Sequence, residues 1–119
     1  MRIAVTAEND RGLDSAVCAH FGHSPYFVLV DLVEGVVVNV ETVANPSYGN
    51  HRPGEVPAFI DSQHANVMLS GGMGANAIAF FERYGIDVAT GATGRVKDAL
   101  ESYLRGELTG TAPCADHEH

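Results

Sequence analysis

The sequence predicts an α/β domain: a mixed sheet of about five strands with helices on both faces. Three observations lead to it. Short β-branched and apolar runs alternate with segments whose apolar residues recur at helical spacing, in the order β, β, β, α, β, α, β, α. Two such runs flank the turn signal Glu34-Gly35 and read as a β-hairpin, which makes them antiparallel. Each of the last two strands is followed by a glycine turn and a helix, the pattern of crossover units that require parallel strands. A chain of 119 residues has room for one core, and neither a repeat nor a linker divides it.

Taken in order, "RIAVTA" (2–7) suits a buried strand, and "NDRGLDSAVCAHFGHSP" (9–25) is a loop rich in turn residues, longer than connections usually are. "YFVLVDLV" and "VVVNVETV" form the hairpin. "ANPSYGNHRPG" (44–54) is irregular, because Asn45-Pro46, Tyr48-Gly49-Asn50 and Pro53-Gly54 interrupt any regular element. "EVPAFIDSQ" places Val56, Phe59 and Ile60 at helical spacing, with Pro57 tolerated in the first turn. "NVMLS" is a strand, "GGMG" a turn, and "ANAIAFFERYG" a helix stopped by Gly85. "IDVAT" is the last strand, "GATG" repeats the turn, and "RVKDALESYLRG" is an amphipathic helix with Val96, Leu100 and Leu104 on one face and Gly106 as its stop.

Composition narrows the function. Fifteen acidic residues against seven basic ones give a formal charge of −8, and that field repels nucleic acid and anionic membrane surfaces. No apolar run is long enough to span a bilayer and no basic-then-apolar leader opens the chain, so the expectation is a soluble, cytoplasmic protein. Cys18 and Cys114, nearly a chain length apart, do not make a disulfide framework and are expected to be reduced.

The candidate chemistry lies in loops. "CAHFGHSPYF" (18–27) gathers Cys18, His20 and His23 around Gly22, and imidazole and thiolate are ligands for borderline and soft metals. No C-x-x-C or second close-set pair completes a structural zinc site, which leaves an open site with few protein ligands. Gly71, Gly72 and Gly74 before one helix, and Gly91 and Gly94 before the next, expose backbone amides at helix starts, where anions bind. "GMGANA" also matches a relaxed G-x-G-x-x-A fingerprint, but the following strand ends in Thr90 rather than an acidic residue, and tight turns without a ligand explain the glycines about as well. His64 reads as a solvated or capping residue. No G-x-S-x-G, H-E-x-x-H or P-loop motif occurs, and the carboxylates offer no pair on successive strands beyond Asp31 and Glu41, so no reaction centre is legible.

In "HFGHSPYFVLVD" (20–31), "NPSYGNHRPGEVPAFI" (45–60) and "SGGMGANAIAFFERYGIDVATGATGRVKDALESYLRGEL" (70–108), the chain resembles the dinitrogenase iron-molybdenum cofactor biosynthesis family. The resemblance runs from Met1 to about Leu108. It implies a ribonuclease H-like three-layer fold without nuclease activity, and a non-enzymatic role in binding or carrying iron–sulfur or molybdenum-containing clusters during assembly. The family's HFG histidine falls on His20 and its loop histidine after NP on His51. Cys18 lies outside the shared pattern, and His23 stands where the family has arginine or lysine.

These readings combine into an expectation. Residues 1–108 form a cluster-binding domain and 109–119 a polar, flexible tail, whose Cys114, His117 and His119 read as a solvated terminus or as extra ligands. His20, His51 and Cys18 would meet exposed metal atoms, while the amides of Gly71, Gly72, Gly74, Gly91 and Gly94 stabilise negative charge on bridging sulfides. The partners expected are the cluster and a protein that donates or accepts it, with neither nucleic acid nor membrane. The alternative is a module that binds a small anion or nucleotide at the glycine turns, without metal.

Overall fold

A computed structural model describes residues 1–49, 52–108 and 110. Its elements follow the expected order: β1 (Arg2–Ala7), β2 (Tyr26–Val33), β3 (Val36–Ala44), α1 (Glu55–Ser62), β4 (Val67–Leu69), α2 (Ala75–Tyr84), β5 (Asp87–Ala89) and α3 (Val96–Leu104). The five strands form one sheet in the order β3-β2-β1-β4-β5. β2 runs antiparallel to both β1 and β3, whereas β1, β4 and β5 are mutually parallel. This is the mixed sheet with helices on both faces that the sequence predicts.

The hairpin turn places Glu34 at φ 52° and Gly35 at φ 79°, the paired left-handed conformation whose twist suits antiparallel strands. Between Asp31 and Leu32 the register slips, so that Asn39 faces Asp31, Val37 faces Leu32 and Val38 is an unmatched bulge. β4 and β5 keep only three residues each, shorter than "NVMLS" and "IDVAT", because Ser70 and Thr90 already belong to the turns.

Alternation along the central strands divides the core into two layers. Ile3, Val5 and Ala7 of β1 point with Val28, Val30 and Leu32 of β2 toward α3, where Val96, Ala99 and Leu100 cover them. Ala4, Phe27, Leu29 and Met68 point to the other face and meet Val56 and Ile60 of α1 and Ile78 and Phe81 of α2. On this face Phe27 is fully buried with its ring 5.9 Å from Phe21, which lies 5.3 Å from Phe81. An aromatic anchor of this kind costs about 3–5 kcal/mol to truncate to alanine. Leu104 departs from the predicted stripe: it is exposed, and Ala99 and Tyr103 take the inward positions. The last turn of α3 has reached the rim of the sheet there, so a residue in line with Leu100 meets solvent.

A polar ladder crosses the sheet at the first residue of β1. Arg2 makes two hydrogen bonds to Asp31, at 2.8 and 3.1 Å, and Asn39 donates to the same carboxylate at 3.2 Å. The Arg2 guanidinium holds the Asp31 carboxyl below the usual carboxylate range, and Asn39 adds to the effect. The carboxylate singled out in the sequence is therefore committed to an ion pair.

Candidate functional site

Parallel strands deliver their carboxyl ends to one edge, and the chain uses that edge three times. The first loop leaves β1 after Ala7, the GGMG turn leaves β4 after Leu69, and the GATG turn leaves β5 after Ala89. Main-chain hydrogen bonds tie the three together. Cys18 donates to Thr6 C=O at 3.3 Å, Gly71 to Cys18 C=O at 3.3 Å, and Phe21 to Gly72 C=O at 2.9 Å. Val17 donates to Gly94 C=O and Gly91 to Gly71 C=O, each at 2.9 Å, and Ser15 C=O receives the Val96 N–H at the start of α3, also at 2.9 Å. The long loop is thus anchored rather than loose. It contains two short 3-10 turns, Gly12–Asp14 and Phe21–His23, and Gly12 packs over Val40 of β3.

The glycines divide into two kinds. A Cβ on Gly71 would lie 2.7 Å from Ala19 Cα and 2.8 Å from Ala19 O, so this glycine exists to let two backbones touch. Gly91 and Gly94 sit at φ 89° and 78° and serve the turn itself. The Gly71 and Gly91 amides are consumed by the bonds above, whereas none of those bonds uses the amides of Gly72, Met73 or Gly74. Those three peptide units lead into the first turn of α2, where a helix presents its positive end. Of the five predicted glycines, Gly72, Gly74 and Gly94 have amides that none of these bonds uses, and the first two of them precede α2.

His20 is half-buried just before the second 3-10 turn, its ring 6.2 Å from that of exposed His23 and perpendicular to it. Cys18 is 4% exposed, and its Sγ donates to the His20 carbonyl at 3.3 Å. Burial pushes the Cys18 thiol up, and nearby Glu8 works in the same direction. His51 and the tail residues Cys114, His117 and His119 lie outside the described residues. Among the described residues, no group of three or more His, Cys, Asp or Glu side chains is placed to hold a metal ion. A closed all-protein metal centre does not fit the described donors, which leave one half-buried imidazole, His20, on the loop that is bonded to the turn before α2. His64 is exposed at φ 63° beyond the end of α1, as a residue past a helix terminus would be.

Sequence reasoning missed how the loop is held. Thr6 Oγ1 donates to Cys18 C=O at 2.9 Å, and Ser24 Oγ accepts from Ala7 N–H at 3.1 Å while donating to Tyr26 C=O at 2.7 Å. Both hydroxyls are fully buried, and only their placement beside loop residues in the fold distinguishes them from ordinary strand and turn positions. The Asn9 Oδ1, also in this loop, is buried and accepts no hydrogen bond among the described residues. A separate cavity of about 490 Å³ lies against β5 and the end of α3, lined by Asp87, Tyr103, Leu104, Leu108 and Gly110 among others, and contains none of the predicted site residues. No helix among the described residues is long and apolar enough to cross a membrane.

Comparison with known proteins adds to this geometry. A family model described as dinitrogenase iron-molybdenum cofactor matches residues 1–106. A crystal structure of the protein PH0822 is 42% identical, covers 99% of this chain and 100% of its own, and superposes with a TM-score of 0.81. The apo form of the orange protein from Desulfovibrio gigas is 31% identical over 94% of this chain and 93% of its own, with a TM-score of 0.83. An uncharacterized protein of Methanocaldococcus jannaschii is 28% identical over 110 residues, 91% of this chain and 89% of that protein.

Proposed function

This chain belongs to the dinitrogenase iron-molybdenum cofactor family, and from that premise we propose that it binds and carries an iron–sulfur or molybdenum-containing cluster during cofactor assembly, without catalysing a reaction itself. The observation that carries the proposal is the 2.9 Å bond from Phe21 N–H to Gly72 C=O, which fastens the histidine loop to the amide-rich start of α2. An imidazole able to meet a metal and N–H groups able to meet sulfides thereby share one mouth. His20 is the ligand assigned from the described residues, and His51, on the segment after Asn45-Pro46, is the second. Few protein ligands on loops suit a carrier, because cargo must leave as well as arrive. The working context is the cytoplasm, with a protein that donates or accepts the cluster as partner.

The orange protein is named for a colour and was solved in an apo form, which fits a cargo that absorbs visible light. The test is therefore optical and analytical. Protein purified without oxygen from its native host should contain iron or molybdenum, and apoprotein reconstituted with iron, sulfide and molybdate should acquire visible absorption. His20→Ala and His51→Ala should each lower cluster affinity on the order of 10-fold or more while the denaturation midpoint stays near wild type. Colourless protein that instead releases heat on titration with a nucleotide would assign the mouth to an organic anion. If both variants melt early yet load normally, the histidines are structural.

A further inference from the structure

Cys18 is the described thiol closest in sequence to His20, and the obvious expectation is a second ligand. Its surroundings suggest a different part. The side chain is almost fully buried, and Sγ is already engaged with the His20 carbonyl at 3.3 Å. That carbonyl also accepts the His23 amide at 3.2 Å, closing the 3-10 turn that follows. The Cys18 main chain is equally committed: its N–H goes to Thr6 C=O, and its C=O receives both Gly71 N–H and Thr6 Oγ1. One residue thus joins the end of β1, the GGMG turn and the peptide group of His20.

We infer that Cys18 is a positioning residue: its S–H fixes the His20 carbonyl, and with it the direction in which the His20 imidazole enters the mouth, and it does not coordinate the cargo. Turning Sγ outward to a metal would remove a donor from the His20 carbonyl and strip a buried side chain from beneath the loop. Ser24 lies beneath the same loop as a fully buried hydroxyl bonded to Ala7 and Tyr26, so a small polar side chain is tolerated in this layer. A serine at position 18 should therefore keep the donor and hold the turn, whereas an alanine should not. The inference rests on the cluster-carrier reading only for the purpose His20 serves; the positioning itself is a property of the metal-free protein.

The test uses full-length protein in a Cys114→Ser background, so that Cys18 is the sole thiol. Heteronuclear NMR of the metal-free protein should show the His20 ring and the His23 amide in wild-type positions in Cys18→Ser and displaced in Cys18→Ala. Denaturation curves establish that both variants are folded where they are compared. A Co²⁺ titration forms the second arm: Cys18→Ser should bind within about 2-fold of its parent and Cys18→Ala several-fold more weakly, with no thiolate-to-cobalt charge-transfer absorption in the parent. His20 signals that stay in place in Cys18→Ala, or that move equally in both variants, overturn the inference. So does a charge-transfer band in the parent that disappears in Cys18→Ser. Should the parent take up neither Co²⁺ nor a reconstituted cluster, the carrier reading falls while the NMR comparison still decides the role of Cys18.

Discussion

Gly71→Ala tests the mouth at its tightest point. The added methyl would sit 2.7 Å from Ala19 Cα, 2.8 Å from Ala19 O and 3.1 Å from Ala19 C, all backbone atoms that no rotamer change can withdraw. Relief requires the GGMG turn and the first loop to separate by on the order of 1 Å, which a close-packed interior resists. Overpacking of this kind costs about 1–3 kcal/mol. The separation also stretches the Gly71-to-Cys18 bond and strains Phe21-to-Gly72 beside it, adding about 0.5–1.5 kcal/mol for each that breaks. The expected destabilisation is roughly 2–4 kcal/mol, read from urea unfolding, and under the proposed carrier role cluster uptake should fall as the loop that holds His20 moves away from the turn. Gly35→Ala is the control: nothing lies within 4 Å of its Cβ position, so only the left-handed backbone at φ 79° is penalised, by about 1–2 kcal/mol. If Gly71→Ala proves no less stable than Gly35→Ala, and the amide resonances of Cys18 and Phe21 do not move, the close approach of loop and turn is wrong.

Other expectations follow from the same structure. Asp31→Asn should cost about 1 kcal/mol or less at neutral pH, since the pair with Arg2 is partly exposed. Because folding lowers the Asp31 pKa, its contribution is present above the unfolded carboxylate value near 4 and fades as pH falls through the lower folded value. Wild type and variant should therefore converge in acid, and a gap that widened below pH 4 would contradict the ion pair. Truncation after Gly110 should leave thermal stability and cluster loading nearly unchanged. Truncation after Leu108 should lose about 0.5–1.5 kcal/mol, because the Gly110 carbonyl accepts the Thr90 amide at 3.3 Å; equal stability of the two truncations would remove that contact.

Most of the fold was legible because its signals are local. The Glu34-Gly35 turn, the β-branched runs around it and Gly85 at φ 72° each announce an element from a few adjacent residues. Leu104 was misplaced because periodicity reports which face a residue shares and says nothing about how far the neighbouring layer extends. The site was only half legible. The glycine turns stood out, but Gly71 and Gly72 look alike in sequence, and only the approach of Ala19 and the bond from the Gly71 amide to Cys18 C=O mark the first as a packing glycine. Thr6 and Ser24 gave no signal, since the bonds by which they hold the loop, Thr6 to Cys18 and Ser24 to Ala7, span 12 and 17 residues along the chain. For Cys18, proximity to His20 was visible while the direction of its S–H was not.

The mouth is fastened by peptide groups: Val17 to Gly94, Gly71 to Cys18, Phe21 to Gly72 and Gly91 to Gly71. Such bonds use atoms that every residue except proline carries, so exposed positions around the rim, such as Ala19 and His23, can be exchanged for any other residue but proline without loosening the frame. Changing what the proposed site accepts therefore need not compete with keeping the loop and turns assembled. A lineage could retune the rim to a new guest one substitution at a time, with little debt in folding, as long as Gly71 stays bare and the buried hydroxyls stay in place.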